Sequence, residues 1–364
     1  MFHNAFHQRR VLVTGHTGFK GAWLSQWLLN LGAEVHGFAL APDTTPSLFH
    51  LLGLADRLAS HRVGDVRDAA AVHAAVAAIR PEVVLHLAAQ PLVRLSYREP
   101  AATWATNVQG TVHVLEALRG VGGARACVVV TSDKCYENRE QVWGYRENEA
   151  MGGHDPYSSS KGAAEIAVAS WRRSFFQDPA GMRLASGRAG NVVGGGDWSA
   201  DRIVVDFVKA IAAGQPLRLR NPGATRPWQH VLEPLSGYLW LAARLLDDDG
   251  SRFADGWNFG PAEASVTTVK DLAERLVAAW GTGMVETLGN AGQPHEAGLL
   301  KLDVSKAAAC LAWKGVWDVQ RTAEETVAWY KTHHQGTADM RHLTQRQIAT
   351  YTADARRVGL AWTS

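Results

Sequence analysis

Short apolar runs alternate with longer amphipathic stretches through the first half of the chain. Arg10–Thr14 is β-branched and apolar, which predicts a buried strand. Ala22–Leu29 follows with apolar residues at helical spacing. Further strands are predicted at Glu34–Phe38, His61–Gly64, Val83–Leu87 and Ala126–Thr131, with helices at Asp68–Ile79 and Thr103–Leu118 between them. Apolar strands separated by helices predict an α/β fold, a doubly wound parallel sheet with right-handed connections and helices on both faces. Ligands then gather at the carboxyl ends of the strands. Gly64-Asp65, Leu87 to Gln90 and Thr131 to Lys134 all fall at such ends.

The pattern changes after Arg188. Gly194, Gly195, Gly196, Asp197 and Trp198 open an irregular region, and residues 218–227 are rich in Arg, Pro and Gly. This half reads as a smaller C-terminal substrate-binding domain of short strands and helices. The predicted division is residues 1–188 as a dinucleotide-binding domain, with a return at 228–250, and residues 189–364 mainly as the substrate domain. Met340–Arg357 predicts a terminal helix.

The 364 residues are 46% hydrophobic, enough for a large core. Lys and Arg number 37 against 35 Asp and Glu, so the net charge of +2 implies no nucleic-acid or membrane partner. Cys127, Cys135 and Cys310 make no spaced metal pattern, and no metal is expected. Their number suits a reducing, cytoplasmic setting, as does the lack of a signal-like apolar start. Cys135 reads as a packed bystander rather than a nucleophile. Fourteen tryptophans is a high count that the sequence does not apportion among core, interface and ligand stacking.

Candidate chemistry lies in two places. Gly15, His16, Thr17, Gly18, Phe19, Lys20 and Gly21 follow the first strand and open the first helix. That order directs backbone N–H groups and a helix N-terminus at a pyrophosphate, the signature of a Rossmann-type dinucleotide site. His16 and Lys20 depart from the small apolar residues commoner there, and Lys20 adds positive charge. Tyr157 and Lys161, four residues apart, share one helix face. An ammonium beside a phenol favours the phenolate and predicts a tyrosine pKa lowered from about 10. Ser132 can orient an alcohol that such a base deprotonates, a step that needs a hydride acceptor.

These residues resemble the extended short-chain dehydrogenase/reductase family over nearly the whole chain. Within it, four stretches resemble the nucleotide-sugar 4,6-dehydratases, in particular the branch acting on CDP-glucose. They are residues 14–21, 131–136, 188–198 and 226–234. The resemblance implies tightly held NAD, CDP-glucose as substrate and a homodimer pairing the helices around Thr103–Leu118 and Tyr157–Phe175. It implies Tyr157 as base for the sugar 4-hydroxyl, Ser132 as its partner, and Lys161 as ligand of the nicotinamide ribose. Asp133 would be the acid for the 6-hydroxyl. Lys134 stands where related dehydratases carry Glu, and as a C5 base it requires burial or nearby positive charge to lower its pKa. Asp65, Val66, Leu87, Ala88, Ala89 and Gln90 would line the cofactor, and Asn191, Arg202, Arg226, His230 and Asn258 the substrate. Arg226 would take the substrate diphosphate through its planar fork.

NAD rather than NADP follows from the family and from the lack of an arginine after Glu34–Phe38, where Asp43 is the nearest acid. Other readings stay open: a dehydratase for another nucleotide, a nucleotide-sugar 4-epimerase, or a non-catalytic dinucleotide-sensing protein. Asp133-Lys134 argues against the epimerase, which eliminates no water, and the intact Tyr157/Lys161 pair argues against the sensor.

Overall fold

The computed structural model describes residues 1–178, 180–262, 265–287, 299–336 and 338–364. Its main sheet contains β1 (Arg10–Thr14), β2 (Glu34–Ala39), β3 (Ser60–Val63), β4 (Val83–His86), β5 (Ala126–Val130), β6 (Arg183–Arg188) and a last strand, Gly256–Asn258. All pair in parallel, in the order Gly256–Asn258, β6, β5, β4, β1, β2, β3. The order reverses at β1, whose neighbours are β2 and β4, so a crevice opens at the carboxyl ends of β1 and β4. The strands read from the sequence are all present. β6 and Gly256–Asn258 are additional.

Alternation along each strand sends side chains to two cores. Val11, Val13, Val83, Leu85 and Val128 join the larger core with Trp23, Trp27, Leu235 and Tyr351. Leu12, Val84, Cys127 and Val129 join the other core with Val72, Val114, Leu115 and Val168. Both faces are therefore covered, which is why these parallel strands read as unbroken apolar runs. The tryptophans are mostly core residues. Trp23, Trp27, Trp240, Trp257, Trp313, Trp329 and Trp362 are each under 2% exposed.

Helix starts follow from local chemistry. Asp68 caps Ala69–Ile79 by accepting from Ala71 N. Asp155 caps Pro156–Phe175 by accepting from Ser158 N, with Pro156 in the first helical position. The predicted Thr103–Leu118 helix is three segments, Pro100–Trp104, a π-helical turn Ala105–Gln109 and Gly110–Val121.

In the second half, Val192–Val193 pairs with Gln229–His230, Thr225–Pro227 with Val266–Thr268, and Leu217–Leu219 with Val285–Thr287. Helix Leu232–Leu246 returns to pack on β5 and β6, and Met340–Arg357 is helical. Among the described residues no helix is long and apolar enough to cross a membrane.

Candidate active site

The glycine loop turns at Gly15, whose φ is +74°. A Cβ at Gly15 would lie 2.7 Å from Ala88 N, and one at Gly21 would lie 2.1 Å from Gly15 O. Gly15 thus lets the loop after β1 close on the loop after β4, and Gly21 lets the helix pack on the glycine loop itself. The helix begins at Phe19 with Gly18 as its N-cap, so its first N–H groups have no intrahelical acceptor and face the crevice end of β1. This cradle at the switch point fits a dinucleotide pyrophosphate.

His16 and Thr17 tie the loop to the sheet. Thr17 Oγ1 donates to Leu40 O at 2.8 Å. The buried His16 places Nε2 2.7 Å from His61 Nδ1 and packs against Phe49. A Cβ at Gly37 would strike its ring at 2.4 Å. Burial, and then His61, push His16 down to about 4, so it is neutral at working pH. Lys20 turns toward the chemistry. Burial lowers it to about 8, helped by the charges of Arg202, Lys161 and Lys134 and opposed by Asp133. The sequence placed Lys20 only at a pyrophosphate, because nothing in it shows which way this side chain leaves the helix.

The other expected cofactor residues lie at neighbouring strand ends. Asp65, after β3, accepts from Arg67 N at 2.9 Å and Arg67 Nε at 2.8 Å, and this pairing holds its carboxyl below the usual range. Val66 is buried against Gly110. Leu87 N donates to Thr14 O, and Ala88 N to Thr14 Oγ1. Ala89 is half-buried beside them, and Asp43 is exposed. Gln90 donates its backbone N–H to Asn107 Oδ1 at 2.8 Å and its side-chain amide to Thr103 Oγ1. Asn107 was not singled out in the sequence. It sits in the π-helical turn and also donates to Ser160 Oγ at 2.9 Å, joining that turn to the Tyr157/Lys161 helix. A π turn leaves no periodicity signal over five residues, so its position was not readable.

β5 ends at Val130, and Ser132 caps the turn Asp133–Cys135. Ser132 Oγ donates to Asp133 Oδ1 at 2.9 Å and accepts from Lys134 N, and its hydroxyl also acts on the Tyr157 phenol. Lys134 Nζ lies 3.4 Å from Asp133 Oδ1, and Asn191 Nδ2 3.4 Å from Asp133 Oδ2. Asp133 is fully buried, whereas the Lys134 side chain is 29% exposed. Asp133 fits because residue 190 is glycine: a Cβ there would be 1.9 Å from Oδ2. Hydroxyl, phenol, carboxyl and ammonium groups therefore share one pocket.

One electrostatic expectation is corrected. The shift of Tyr157 is upward, not downward. Burial raises Tyr157 to about 12, against a lowering by the Ser132 hydrogen bond and by Arg202. Burial also brings Lys161 down to about 8, against Glu165, which favours its charge. Helical spacing shows that two groups are near each other, but not that both leave water, and desolvation is the larger effect.

Of the expected substrate residues, Asn191 and Arg202 join the catalytic group. Arg202 acts on Lys20 and Tyr157, and its Nη2 donates to Pro91 O at 3.5 Å. Arg226 is half-buried on Thr225–Pro227 and donates to Thr225 O. His230 and Asn258 are each 0% exposed, within the protein core. His230 is edge-on to Trp23 and Trp317, and its Nδ1 accepts from Leu232 N. Asn258 donates to Tyr145 O and Asp303 O and accepts from Tyr136 Oη. Their motif positions carry no information about burial, and these contacts give both a structural setting.

A parallel sheet with a glycine loop at its switch point, and a Ser/Tyr/Lys set beside it, defines a short-chain dehydrogenase/reductase of the extended type. The model for GDP-mannose 4,6 dehydratase matches residues 12–326, and the chain belongs to this family of nucleotide-sugar dehydratases. It is 49% identical to the CDP-glucose 4,6-dehydratase of Salmonella typhimurium, over 97% of this chain and 99% of that protein. Among solved structures, the UDP-glucose 4-epimerase of Thermotoga maritima matches with a TM-score of 0.77 at 22% identity, covering 89% of this chain and 99% of that one. A dTDP-glucose 4,6-dehydratase from Streptomyces venezuelae, solved with NAD bound, matches with a TM-score of 0.76 at 22% identity, covering 91% and 99%. These two likenesses concern the fold.

Proposed function

We propose that this chain converts CDP-D-glucose to CDP-4-keto-6-deoxy-D-glucose and water, with NAD as resident cofactor. The observation that carries this reading is the Asp133/Lys134 pair at 3.4 Å, beside Ser132 and Tyr157. An acid and a base for water loss thus adjoin an alcohol-oxidising set. The relative from Salmonella typhimurium supports CDP-glucose as the sugar nucleotide.

NAD, when bound, would supply the redox chemistry as hydride acceptor and donor. Gly15, Gly18 and Gly21 would hold its diphosphate, Asp65, Val66, Leu87, Ala88, Ala89 and Gln90 would line its flank, and Lys161 would hold the nicotinamide ribose. Tyr157 removes the 4-hydroxyl proton while Ser132 orients that oxygen. The cationic surroundings, Arg202 foremost, offset part of the cost that burial imposes on the phenolate. The 4-ketone acidifies the proton on C5. Lys134 takes that proton, and Asp133 protonates the departing 6-hydroxyl. Arg202, Asn191 and Arg226 meet the nucleotide diphosphate.

In this reading residues 1–188, with the return at 228–250, serve the cofactor, and the remainder mainly serves the nucleotide sugar. A homodimer is part of the proposal. Trp104 and Ile166, on the two helix segments expected to pair, are 41% and 60% exposed while Ala164 and Val168 face the core.

Purified protein incubated with CDP-glucose, dTDP-glucose or GDP-mannose and catalytic NAD, followed by mass spectrometry, tests the assignment. Loss of one water from CDP-glucose without net NADH is the expected result. An unchanged mass with altered sugar configuration would instead favour an epimerase.

A further inference from the structure

We propose that the buried Glu165–Arg188 ion pair positions the turn carrying Ser132, Asp133 and Lys134 by clamping it at both ends, an inference that rests on the dehydratase reading. Glu165 lies one helical turn beyond Lys161 and is 4% exposed; Arg188 ends β6 and is 5% exposed. Glu165 Oε1 accepts from Thr131 Oγ1 at 2.5 Å, immediately before Ser132. Its Oε2 accepts from Arg188 Nη2 at 2.8 Å and Ser186 Oγ at 2.7 Å. Arg188 Nη1 donates to Tyr136 Oη at 2.6 Å, on the far side of the turn. Tyr136 Oη in turn donates to Asn258 Oδ1 at 2.8 Å.

The network thus holds Thr131 and Tyr136, and the acid and base lie on the short arc between them. It also fixes that arc to the helix bearing Tyr157 and Lys161, because Glu165 belongs to both. Burying an ion pair is a poor way to stabilise a core, since well-packed apolar residues do as well. What this pair supplies is hydrogen bonds of fixed direction at two points of the chain. Glu165 and Arg188 touch no expected substrate atom, so they are positioning residues.

The test uses the full chain and three variants. Thr131→Val and Tyr136→Phe each cut one end of the clamp and leave the ion pair intact, while Glu165→Gln removes its charge. With CDP-glucose, each single-end variant is expected to lose about tenfold in kcat, with KM within about threefold and an unchanged circular dichroism spectrum. Glu165→Gln is expected to lose about a hundredfold, with Glu165→Asp recovering part of the loss. Parental kcat in both Thr131→Val and Tyr136→Phe would overturn the clamp, as would losses fully accounted for by a smaller folded fraction. If the parent itself removes no water from CDP-glucose, it is the dehydratase reading that fails.

Discussion

Replacing Gly190 by alanine adds one methyl group at the point where Asp133 has least room. The new Cβ would lie 1.9 Å from Asp133 Oδ2 and 2.0 Å from Cγ, against a floor near 3.0 Å for real contacts. The carboxylate must therefore retreat by about 1 Å, since the backbone is held on the other side by Asp133 N bonding to Ala189 O. Its contacts to Lys134 and Asn191 are already 3.4 Å and would be lost. A misplacement of this size costs about a hundredfold in rate, or ~2.7 kcal/mol of barrier. The loss should fall chiefly on water elimination, because Tyr157 and Lys161 lie on a separate helix and Ser132 gives up only its bond to Asp133 Oδ1. The assay is kcat for loss of water from CDP-glucose, with reduced nicotinamide followed by absorbance in a single turnover. Slow water loss with reduced cofactor accumulating is the expected outcome. Parental kcat, or slowed cofactor reduction with no accumulation, would refute the assignment of Asp133 to the elimination step.

Tyr157→Phe removes the proposed base and should lower kcat by at least about a thousandfold with little change in CDP-glucose affinity, measurable by calorimetry. Lys20 and Lys161, both lowered to about 8, should take up protons when CDP binds near pH 8, because a diphosphate favours their charged forms. Calorimetry at pH 8 in buffers of different ionisation enthalpy should give an uptake of about half a proton per lysine, vanishing near pH 6 where both are already charged. The same two groups should make the folded state gain stability as pH rises from about 8 toward 10, since the unfolded chain holds those protons more tightly; a denaturant midpoint measured across that range checks the sign. Ile166→Glu places a charge on the face proposed to meet a second copy and should give a monomer by sedimentation, whereas an unchanged mass would move the interface elsewhere.

Legibility followed the kind of information each feature needs. β1, β4 and β5 were readable because strands covered on both faces must be apolar at every position, as Val83, Val84 and Leu85 are. β6 was not, because Ser186 and Arg188 interrupt its run, and both are there to bond Glu165 from another element. The proximity of Tyr157 and Lys161 came from spacing alone, but their pKa directions depend on burial by residues far along the chain. His230 and Asn258 show the same gap from the other side. A polar residue in a motif looks the same in sequence whether it faces a ligand or completes a core network, and only its partners in space distinguish the two.

The arrangement of charge joins these observations. Arg202, Lys161 and Lys134 act on Lys20 with Asp133 as a counter-charge, and Arg202 and Asp133 also act on Tyr157. Burial makes ammonium groups costly there, which is why Lys20 and Lys161 fall to about 8 rather than remaining near 10.5. A diphosphate brings the negative charge that lowers this cost, so at and above about pH 8 part of its interaction with the lysines is spent on restoring them to their cationic state. Substrate binding and the charge state of Lys20 and Lys161 are then two results of one electrostatic balance, and the proton uptake near pH 8 is the quantity that measures it.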